Sequence, residues 1–182
     1  MSEFDYVIVG AGSAGCVLAA RLSEDRSSKV LLLVAGGPEH KHRLMKMPLA
    51  WRNTFMDPQL SWGYSSEPEP FADHRSIPVP RGKVLGGSSS VNGMMYQRGH
   101  PGDYDSWPPG WTYAEVLPYF KRSENNWRGE TTYHGASGPL TVARHATDDV
   151  IYPRLIETAE RLGFAHLDDF HAERAEGFRA PE

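Results

Sequence analysis

The chain opens with a short apolar segment, a glycine-rich turn and a stretch whose apolar residues recur at helical spacing. Residues 4–9 read Phe-Asp-Tyr-Val-Ile-Val, a β-rich run typical of a strand. Residues 13–25 carry apolar side chains three and four positions apart, which predicts a helix with Ser13 as a candidate N-cap. Residues 29–34 form a second continuous apolar run, as expected for a strand buried on both faces. This order predicts a βαβ unit that begins a parallel sheet.

Downstream of this unit the hydrophobic pattern is less regular. Prolines interrupt residues 35–82, so we expect short hairpins and irregular excursions there, with the aromatic side chains packed as a small cluster. The pattern then predicts a helix through residues 86–96, a helix at 112–125 capped by Thr112 and Glu115, a strand at 139–142, and a helix at 149–162 that Gly163 ends. The predicted fold class is α/β, a Rossmann-like βαβ unit with irregular excursions.

Composition and charge exclude several classes of protein. The 182 residues carry 19 Lys and Arg against 23 Asp and Glu, a net charge of −4 that gives no reason to expect a nucleic-acid partner. No apolar run approaches the ~18 residues of a membrane helix, and the acidic first residues lack the cationic region of a signal peptide. The single cysteine, Cys16, allows no internal disulfide and fits a reducing compartment. We therefore expect a cytoplasmic protein without a membrane segment.

A glycine motif lies between the first predicted strand and the first predicted helix. It reads Gly10-Ala11-Gly12-Ser13-Ala14-Gly15, the GxGxxG pattern of dinucleotide-binding βαβ units. Gly10 permits a tight turn, Gly12 lets the backbone approach a diphosphate, and Gly15 lets the helix pack closely on the strand. The start of the helix adds N–H groups and a partial positive charge. The alternative is a glycine turn that binds nothing.

The acidic residue expected to bind the ribose is missing from this pattern. Dinucleotide-binding units carry it at the end of the second strand, where its carboxylate accepts hydrogen bonds from the ribose hydroxyls. Here that position is Val34, which cannot accept a hydrogen bond. Glu39 lies further along, and we do not expect it to reach back. The open explanations are a reduced affinity, another group at the ribose, or a substitution particular to this chain.

A second glycine-rich segment follows the irregular region. Residues 81–96 read Arg-Gly-Lys-Val-Leu-Gly-Gly-Ser-Ser-Ser-Val-Asn-Gly-Met-Met-Tyr. Paired glycines followed by hydroxyl side chains form a backbone nest that suits a phosphate or the electron-rich edge of a ring. Residues 84–87 are suited to run close under a planar cofactor, and Asn92 offers both a donor and an acceptor. Taken alone, the segment is also compatible with an ordinary turn from a loop into a helix.

The two glycine motifs, in this order and at this separation, resemble the N-terminal part of the glucose-methanol-choline (GMC) oxidoreductases. Residues 82–92, with Tyr96, Gly99 and Asp105 downstream, are similar to the first signature of that family. The surrounding sequence agrees with the family as well, including residues 4–10, 103–107 and 116–120, and the resemblance covers almost the whole chain. Within the family, the chain looks most similar to the choline dehydrogenase-like members and other bacterial alcohol dehydrogenases.

The resemblance implies that the chain binds FAD rather than NAD. Members of the family bind FAD and oxidise alcohols to aldehydes by hydride transfer to the flavin. By motif position, the diphosphate would face Gly10, Gly12, Ser13, Ala14 and Gly15, and the ribose end would face Val34 and Ala35. The flavin and its side chain would lie along Val84, Gly87, Ser88, Asn92, Gly93, Met94 and Met95. Some members attach FAD through a histidine at the position of Val91, so the resemblance implies noncovalent FAD here.

The resemblance also implies that the chain is incomplete. Family members are much longer, and their substrate domain and catalytic histidine lie beyond the matching region. We therefore expect residues 1–182 to form an N-terminal FAD-binding segment, the N-terminal third of a GMC-type fold. Alone it should be inactive and prone to self-association, and it would meet an alcohol substrate only within a complete enzyme.

Two alternatives to this interpretation stay open. The chain is a non-catalytic, degenerate FAD-binding module, or it is half of a split enzyme that needs a complementing C-terminal chain. A third, an NAD-binding Rossmann protein, is disfavoured because the second glycine segment has no place in it.

The remaining polar residues carry no recognisable catalytic or metal-binding motif. His166 and His171 match no catalytic pattern, and the histidines within residues 40–42 lack a suitably spaced cysteine or acidic partner. Asp103 and Asp105 lie in a turn rich in glycine and proline, where aspartate more often caps a helix than takes part in catalysis. Accordingly we predict neither a catalytic residue nor a metal site in this chain.

Overall fold

The computed structural model describes residues 3–37, 43–144, 150–173 and 176–180, and it divides the chain into two compact units. The first unit is Met1–Met94 and the second is Met95–Glu182. Each unit contains one pair of parallel strands. The histidines within residues 40–42 lie outside the described residues.

The first unit begins with the βαβ unit that the sequence predicted. Its elements are strand β1 (Tyr6–Val9), helix α1 (Ser13–Leu22) and strand β2 (Val30–Leu33). The two strands are parallel, with Tyr6 opposite Val30 and Val9 opposite Leu33. The chain therefore passes from one strand to its parallel neighbour through a helix, and the predicted α/β character is confirmed.

Helix α1 begins and ends differently from the prediction. Gly12, rather than Ser13, occupies the N-cap position, and no side chain caps the helix there. Ser13 is the first helical residue, and its hydroxyl donates instead to Ser89 Oγ at 3.1 Å. The helix stops before residue 25 because the Asp25 carboxylate accepts hydrogen bonds from the N–H and the hydroxyl of Ser27, which stabilises a turn.

Short elements follow β2, as the prolines predicted. They are 3₁₀ turns at Arg43–Lys46, Pro48–Ala50 and Pro70–Ala72, helix α2 (Trp51–Met56), and the antiparallel strands β3 (Tyr64–Ser65) and β4 (Pro78–Val79). The aromatic side chains form two separate pairs, Trp51 with Phe55 and Trp62 with Tyr64, while Phe71 is fully exposed. The prediction of one aromatic cluster is therefore wrong.

The prediction of a helix at residues 86–96 is also wrong, because a single 3₁₀ turn, Gly87–Ser90, occupies that segment. Gly86 precedes the turn with a φ of +86°, outside the helical region. The hydroxyls of Ser89 and Ser90 donate to backbone carbonyls three and five positions earlier, at 2.6 and 2.8 Å. Such local bonds compete with the hydrogen bonds of an α-helix, so the helix does not continue.

Apolar burial holds the second glycine segment in place within the first unit. Leu60, Val84 and Val91 form its buried core, and Met45 and Phe55 pack against them. Two of the three core residues flank the glycines at positions 86 and 87. The hydrophobic burial of these side chains therefore fixes the backbone between them at both ends.

The described part of the second unit combines three helices with another parallel strand pair. Its described elements are α3 (Pro101–Asp105), α4 (Tyr113–Ser123), β5 (Glu124–Asn126), β6 (Leu140–Val142) and α5 (Ile151–Arg161). Helix α4 starts with the predicted capping box of Thr112 and Glu115 and continues through Pro118. The predicted strand and the last two predicted helices are confirmed, each slightly shorter. Across the described parts of both units, no helix has the length and apolar character needed to cross a membrane.

Candidate functional site

The first glycine motif forms the turn between β1 and α1. Gly10 has a φ of +97°, which residues with a side chain rarely adopt, and its N–H donates to Leu33 O at 2.8 Å. A Cβ on Gly15 would lie 1.9 Å from Gly10 O, so only glycine allows the helix to pack this close to the turn. Gly10 and Gly15 therefore have the structural roles that the motif predicted for them.

Gly12 leaves the start of α1 open to a ligand. A Cβ on Gly12 would have no atom within 4 Å, and the helix has neither a side-chain cap nor an acidic residue in its first turn. The first N–H groups of a helix lack partners within the helix and carry its partial positive charge. Here they belong to Ser13, Ala14 and Gly15. This surface suits an anion such as a diphosphate.

The second glycine segment packs directly on this turn. Gly86 N donates to Ala11 O at 2.7 Å, and a Cβ on Gly87 would lie 2.8 Å from Gly12 Cα. The hydroxyl–hydroxyl bond at the first residue of α1 is another link, and it joins positions 76 residues apart. The structure thus brings the two motifs together at the open start of the helix.

At the ribose end of the predicted site, the described residues carry no acidic side chain. Val34 follows β2 and is 42% exposed, and Ala35 beside it is exposed as well. The described residues 34–37 include no carboxylate, and Glu39 lies outside the described residues. A Cβ on Gly36 would lie 1.7 Å from Lys83 O, so the backbone of the second segment also passes close to this strand end.

The residues assigned to the flavin side differ in what they expose. Val84 belongs to the buried core, so its backbone rather than its side chain is available to a ligand. Ser88 Oγ accepts a hydrogen bond from Gly82 N at 3.1 Å, and Asn92 Oδ1 accepts one from Met94 N at 3.0 Å. The side chains of Ser88 and Asn92 are therefore already engaged with neighbouring backbone.

Residues 89–94 line one side of a small pocket, and residues 44–54 line the other. The cavity measures about 120 Å³, whereas pockets for whole ligands typically measure ~300–1,000 Å³, so it has room for only part of a cofactor. A Cβ on Gly93 would meet nothing within 4 Å, and Met94 is exposed with a φ of +60°. Met95 is exposed too and is the first residue of the second unit.

Comparison with known proteins places this geometry in a family. Residues 4–181 match the sequence profile described as GMC oxidoreductase. The chain belongs to this family. The oxygen-dependent choline dehydrogenases of Brucella ovis and Sinorhizobium fredii are 46% and 45% identical to it over 180 and 182 residues. These alignments cover 97% of this chain and 33% of each relative.

Solved structures with the same fold agree with the family assignment. The pyridoxine 4-oxidase from Mesorbium loti superposes with a TM-score of 0.88 at 35% identity, over 96% of this chain and 35% of that chain. The Aspergillus oryzae formate oxidase, in a structure concerned with FAD modification, gives 0.79 at 26% identity, over 95% and 33%. This chain spans about a third of the length of these relatives and corresponds to the N-terminal FAD-binding part of the family.

Members of the GMC family are FAD flavoproteins. Of the diphosphate and the ribose of FAD, the described residues fit the diphosphate. At the diphosphate, the open position of Gly12 and the N–H groups at the start of α1 match what the phosphates need. At the ribose, Val34 supplies no hydrogen-bond acceptor in its side chain. The fit is therefore good at the phosphates and lacks the acidic contact at the ribose.

The two aspartates near residue 104 are caps, as predicted. Asp103 Oδ2 accepts a hydrogen bond from His100 N at 3.0 Å and completes the capping box of α3. Asp105 Oδ1 accepts one from Tyr113 N at 2.9 Å, at the first residue of α4. Of the two histidines near the end of the chain, His166 is exposed, whereas the other belongs to a buried cluster.

This buried polar cluster, in the second unit, was missed by sequence reasoning. The Arg98 guanidinium donates to Glu124 Oε1 at 2.6 Å, and their side chains are 2% and 0% exposed. His134 Nδ1 lies 3.0 Å from the same Oε1, and His134 Nε2 lies 2.7 Å from Asp169 Oδ2. His171 Nε2 accepts a hydrogen bond from Arg98 N at 3.1 Å. The residues of the cluster come from separate stretches of the chain, so no local sequence motif indicates that they meet.

The cluster shifts the pKa values of its members. Burial raises the pKa of Asp169, but hydrogen bonding and the charge of His134 outweigh it and lower that pKa from 3.8 to about 2. Burial also opposes ionisation of Glu124, yet hydrogen bonds and the Arg98 charge bring its pKa below 4.5. Burial lowers the pKa of His134, but Asp169 and Glu124 raise it above 6.5. All three groups therefore favour their charged forms.

The cluster also has the composition of a metal site, since His134, Asp169 and His171 each place one ligand atom within 4.8 Å of the others. Several of their ligand atoms are already hydrogen-bonded, however. The lone pair of His171 Nε2 accepts the Arg98 N–H, and His134 Nε2 is bonded to Asp169. Arg179 Nη1 adds a positive charge 3.4 Å from Asp169 Oδ1. These contacts favour a proton network, and we assign no metal to it.

Proposed function

We propose that the first unit holds the diphosphate end of FAD in a GMC-type oxidoreductase, and that the complete enzyme oxidises an alcohol to an aldehyde. The observation that supports this most directly is the contact between the two glycine motifs, in which Gly86 bonds to Ala11 and Gly87 lies against Gly12. It builds an anion-binding surface from backbone atoms. The relatives named above are choline dehydrogenases, and choline is an alcohol, which supports an alcohol as the substrate class.

In this proposal the residues divide by position along the cofactor. Backbone N–H groups at the start of α1 bind the diphosphate, and the glycines before it keep side chains out of the way. Val34 and Ala35 lie at the ribose, and residues 84–95 lie along the flavin. The site residues we propose are Gly10, Gly12, Ser13, Ala14, Gly15, Val34, Ala35, Val84, Gly87, Ser88, Asn92, Gly93, Met94 and Met95.

The chemistry of alcohol oxidation then sets what else the enzyme needs. When bound, FAD supplies the acceptor for the hydride that leaves the alcohol carbon. The hydroxyl proton must go to a base, and we assign none of the described residues to that role. We therefore propose that residues 1–182 serve as the FAD-binding segment, and that the base and the substrate site come from segments like those of the longer relatives.

We propose that FAD is bound noncovalently. Val91, at the position where some family members carry the linking histidine, is an aliphatic side chain only 3% exposed and packed into the core. It has no group that could form a bond with the flavin. Acid denaturation of the loaded protein followed by ultrafiltration should recover all flavin in the filtrate, whereas flavin retained on the polypeptide would contradict the proposal.

The alternatives of a degenerate module or a split enzyme are less well supported. The relatives are longer single chains, which does not favour a separate complementing chain. The cytoplasmic location stays a prediction, and the single cysteine, Cys16, is one of its grounds. A visible spectrum of the purified chain with added FAD distinguishes a binding module from a protein that binds no flavin.

The proposal is tested by blocking the open position at the start of α1. Gly12 has an extended backbone, with φ −79° and ψ −171°, so Gly12→Val should fold while its side chain fills the space that the diphosphate needs. We expect its affinity for FAD to fall about tenfold or more, because even ~1.4 kcal/mol of lost phosphate contacts has that effect. Fluorescence titration with FAD measures it, and circular dichroism checks the fold.

Ala20→Val is the matched control for this experiment. Ala20 lies on the same helix, is exposed, and is remote from the glycine turn, so the same added side chain should leave FAD binding unchanged. Two results would overturn the proposal: unchanged FAD affinity in Gly12→Val, or no FAD binding by the unmodified chain.

A further inference from the structure

His134 lies between two carboxylates in the second unit, the buried Glu124 and the half-buried Asp169, and the proposed FAD chemistry makes no use of it. We propose that His134 is a buried proton switch, which bridges β5 and residues 166–171 strongly when charged and weakly when neutral. The proposal does not rest on FAD binding or on alcohol oxidation. It concerns how firmly one segment of the second unit is held, and it follows from the partners of the two ring nitrogens.

Each nitrogen of the His134 ring faces a carboxylate, although the residue is only 1% exposed. Nε2 lies 2.7 Å from Asp169 Oδ2, and Nδ1 lies 3.0 Å from Glu124 Oε1. An ionised carboxylate can only accept a hydrogen bond, so both contacts are satisfied when both ring nitrogens carry a proton. The charged ring then forms two charge-assisted hydrogen bonds, which are about twice as strong as neutral ones.

The neutral ring also has a complete set of partners. Asn126 Nδ2, a donor, lies 3.1 Å from His134 Nδ1. Asn126 is oriented for this contact because its Oδ1 accepts a hydrogen bond from Arg128 N at 3.0 Å. A neutral ring that keeps its proton on Nε2 still donates to Asp169 and accepts from Asn126 through Nδ1. The ring can therefore release its Nδ1 proton to solvent without rotating. The hydrogen-bond partner of Nδ1 then changes from Glu124 to Asn126.

The bridge joins two stretches that are distant in the chain. Glu124 and Asn126 belong to β5, whereas Asp169 lies in residues 166–171. Asp169 Oδ1 accepts a further hydrogen bond from His171 N at 2.8 Å, which fixes the orientation of the carboxylate within its own segment. When His134 loses its charge, the ion pair with Asp169 becomes a hydrogen bond from a neutral ring to a carboxylate, and the link between the two stretches weakens.

Several other groups act on this switch. Arg98 and Arg179 contact the two carboxylates, so they offset part of the negative charge that favours the imidazolium form. Positive charge beside the carboxylates opposes the upward shift of the His134 pKa. The titratable or charged groups around the ring are Glu124, Asp169, His171, Arg98, Arg179, Arg128, Tyr96 and Tyr113.

The direction of the pH dependence follows from the pKa values. A histidine whose folded pKa exceeds 6.5 contributes stability that is complete below pH 6.5 and is lost as the pH rises through the folded pKa. Asp169 acts in the opposite sense, since its folded pKa of about 2 lies below 3.8 and its contribution disappears only in acid. The bridge is therefore strongest between roughly pH 4 and pH 6.5.

Urea unfolding of the 182-residue chain between about pH 5.5 and 8.5 tests the switch. For the unmodified chain, we expect the ratio of folded to unfolded protein to fall above pH 6.5, by at most about tenfold per pH unit for one proton. His134→Gln should lose this dependence, because glutamine does not titrate. His166→Gln, which removes an exposed histidine in the same stretch, should retain it. Parallel pH profiles for the unmodified chain and His134→Gln would overturn the proposal.

A second measurement covers the case in which His134→Gln does not fold. Asn126→Asp retains the acceptor for Arg128 N but replaces the donor that faces His134 Nδ1 with an acceptor, so it removes the partner of the neutral ring. Nitrogen NMR of the histidine rings should show His134 titrating above pH 6.5, with a higher midpoint in Asn126→Asp. A ring that holds one protonation state throughout about pH 5 to 9, or an unshifted midpoint, would overturn the proposal.

Discussion

Val34 follows the last residue of β2, at the position where dinucleotide-binding units carry a carboxylate. Its aliphatic side chain can contact a ribose but cannot accept hydrogen bonds from the ribose hydroxyls. In the proposed site, the diphosphate contacts come from backbone N–H groups at the start of α1, so they would not depend on this residue. At the scale of single residues, we therefore expect the proposed site to bind the phosphates normally and the ribose more weakly.

Restoring the carboxylate should strengthen FAD binding. We expect Val34→Glu to bind FAD more tightly by about 1.5–3 kcal/mol, the usual worth of hydrogen bonds to a charged group. That gain corresponds to roughly a 10- to 150-fold lower Kd in a fluorescence titration. Val34→Gln, which has nearly the same shape and no charge, should gain less. Equal or weaker binding by Val34→Glu would refute the placement of residue 34 at the ribose.

At the scale of elements, strand β5 is buried without containing an apolar residue. It reads Glu-Asn-Asn, with Glu124 and Asn126 buried and Asn125 facing outward. Glu124 Oε1 accepts hydrogen bonds from Arg98 Nη2 at 2.6 Å and from Gly135 N at 2.9 Å. Buried polar groups remain stable only when such bonds are made, so this strand is held mainly by hydrogen bonds and charge.

Neutralising Glu124 should therefore destabilise the second unit. We expect Glu124→Gln to reduce the free energy of unfolding by about 3–5 kcal/mol, because it leaves the buried Arg98 without its counter-charge. Glu24→Gln is the contrasting variant, since the Arg21–Glu24 pair is 49% and 61% exposed and its loss should cost less than about 1 kcal/mol. Urea unfolding at neutral pH measures both. Similar losses in the two variants would show that burial of the Arg98–Glu124 pair does not matter.

At the scale of the whole molecule, the first unit exposes much of its apolar surface. In the described residues β1 and β2 form a sheet of two strands, and Val7, Val9 and Leu33 are exposed, Val9 by 83%. Soluble monomers rarely expose contiguous apolar patches larger than a few hundred Å². Open strand edges also favour pairing with another chain. Both features point to surfaces that further protein covers.

We therefore expect the 182-residue chain on its own to self-associate and to show no alcohol oxidation. Light scattering should give a mass above the 20.3 kDa of a monomer. Dye reduction with a panel of primary alcohols and added FAD should stay at the level of FAD without protein, because no described residue is assigned as the base. A uniform monomer that oxidises an alcohol in an FAD-dependent way would contradict both expectations.

Elements with clear apolar or capping patterns were predictable from the sequence. Elements in which side-chain hydrogen bonds compete with helix formation were not. The βαβ unit follows from apolar runs around a glycine turn, and the start of α4 follows from Thr112 and Glu115. The helix expected at residues 86–96 does not form because the serine hydroxyls there bond to nearby backbone carbonyls. Ser13 has the composition of an N-cap, but its hydroxyl is bonded to Ser89 across the unit.

The sequence by itself determined the βαβ unit, the glycine turn and the family, because each depends on residue types at fixed, short spacings. Only the tertiary structure placed Gly87 against Gly12, and only it gathered Arg98, Glu124 and His134 in one buried cluster. These contacts join residues far apart in the chain. The glycines meet through a close approach of two backbones, and the buried cluster is held by hydrogen bonds and charge. Local residue patterns do not encode which distant residues make such contacts.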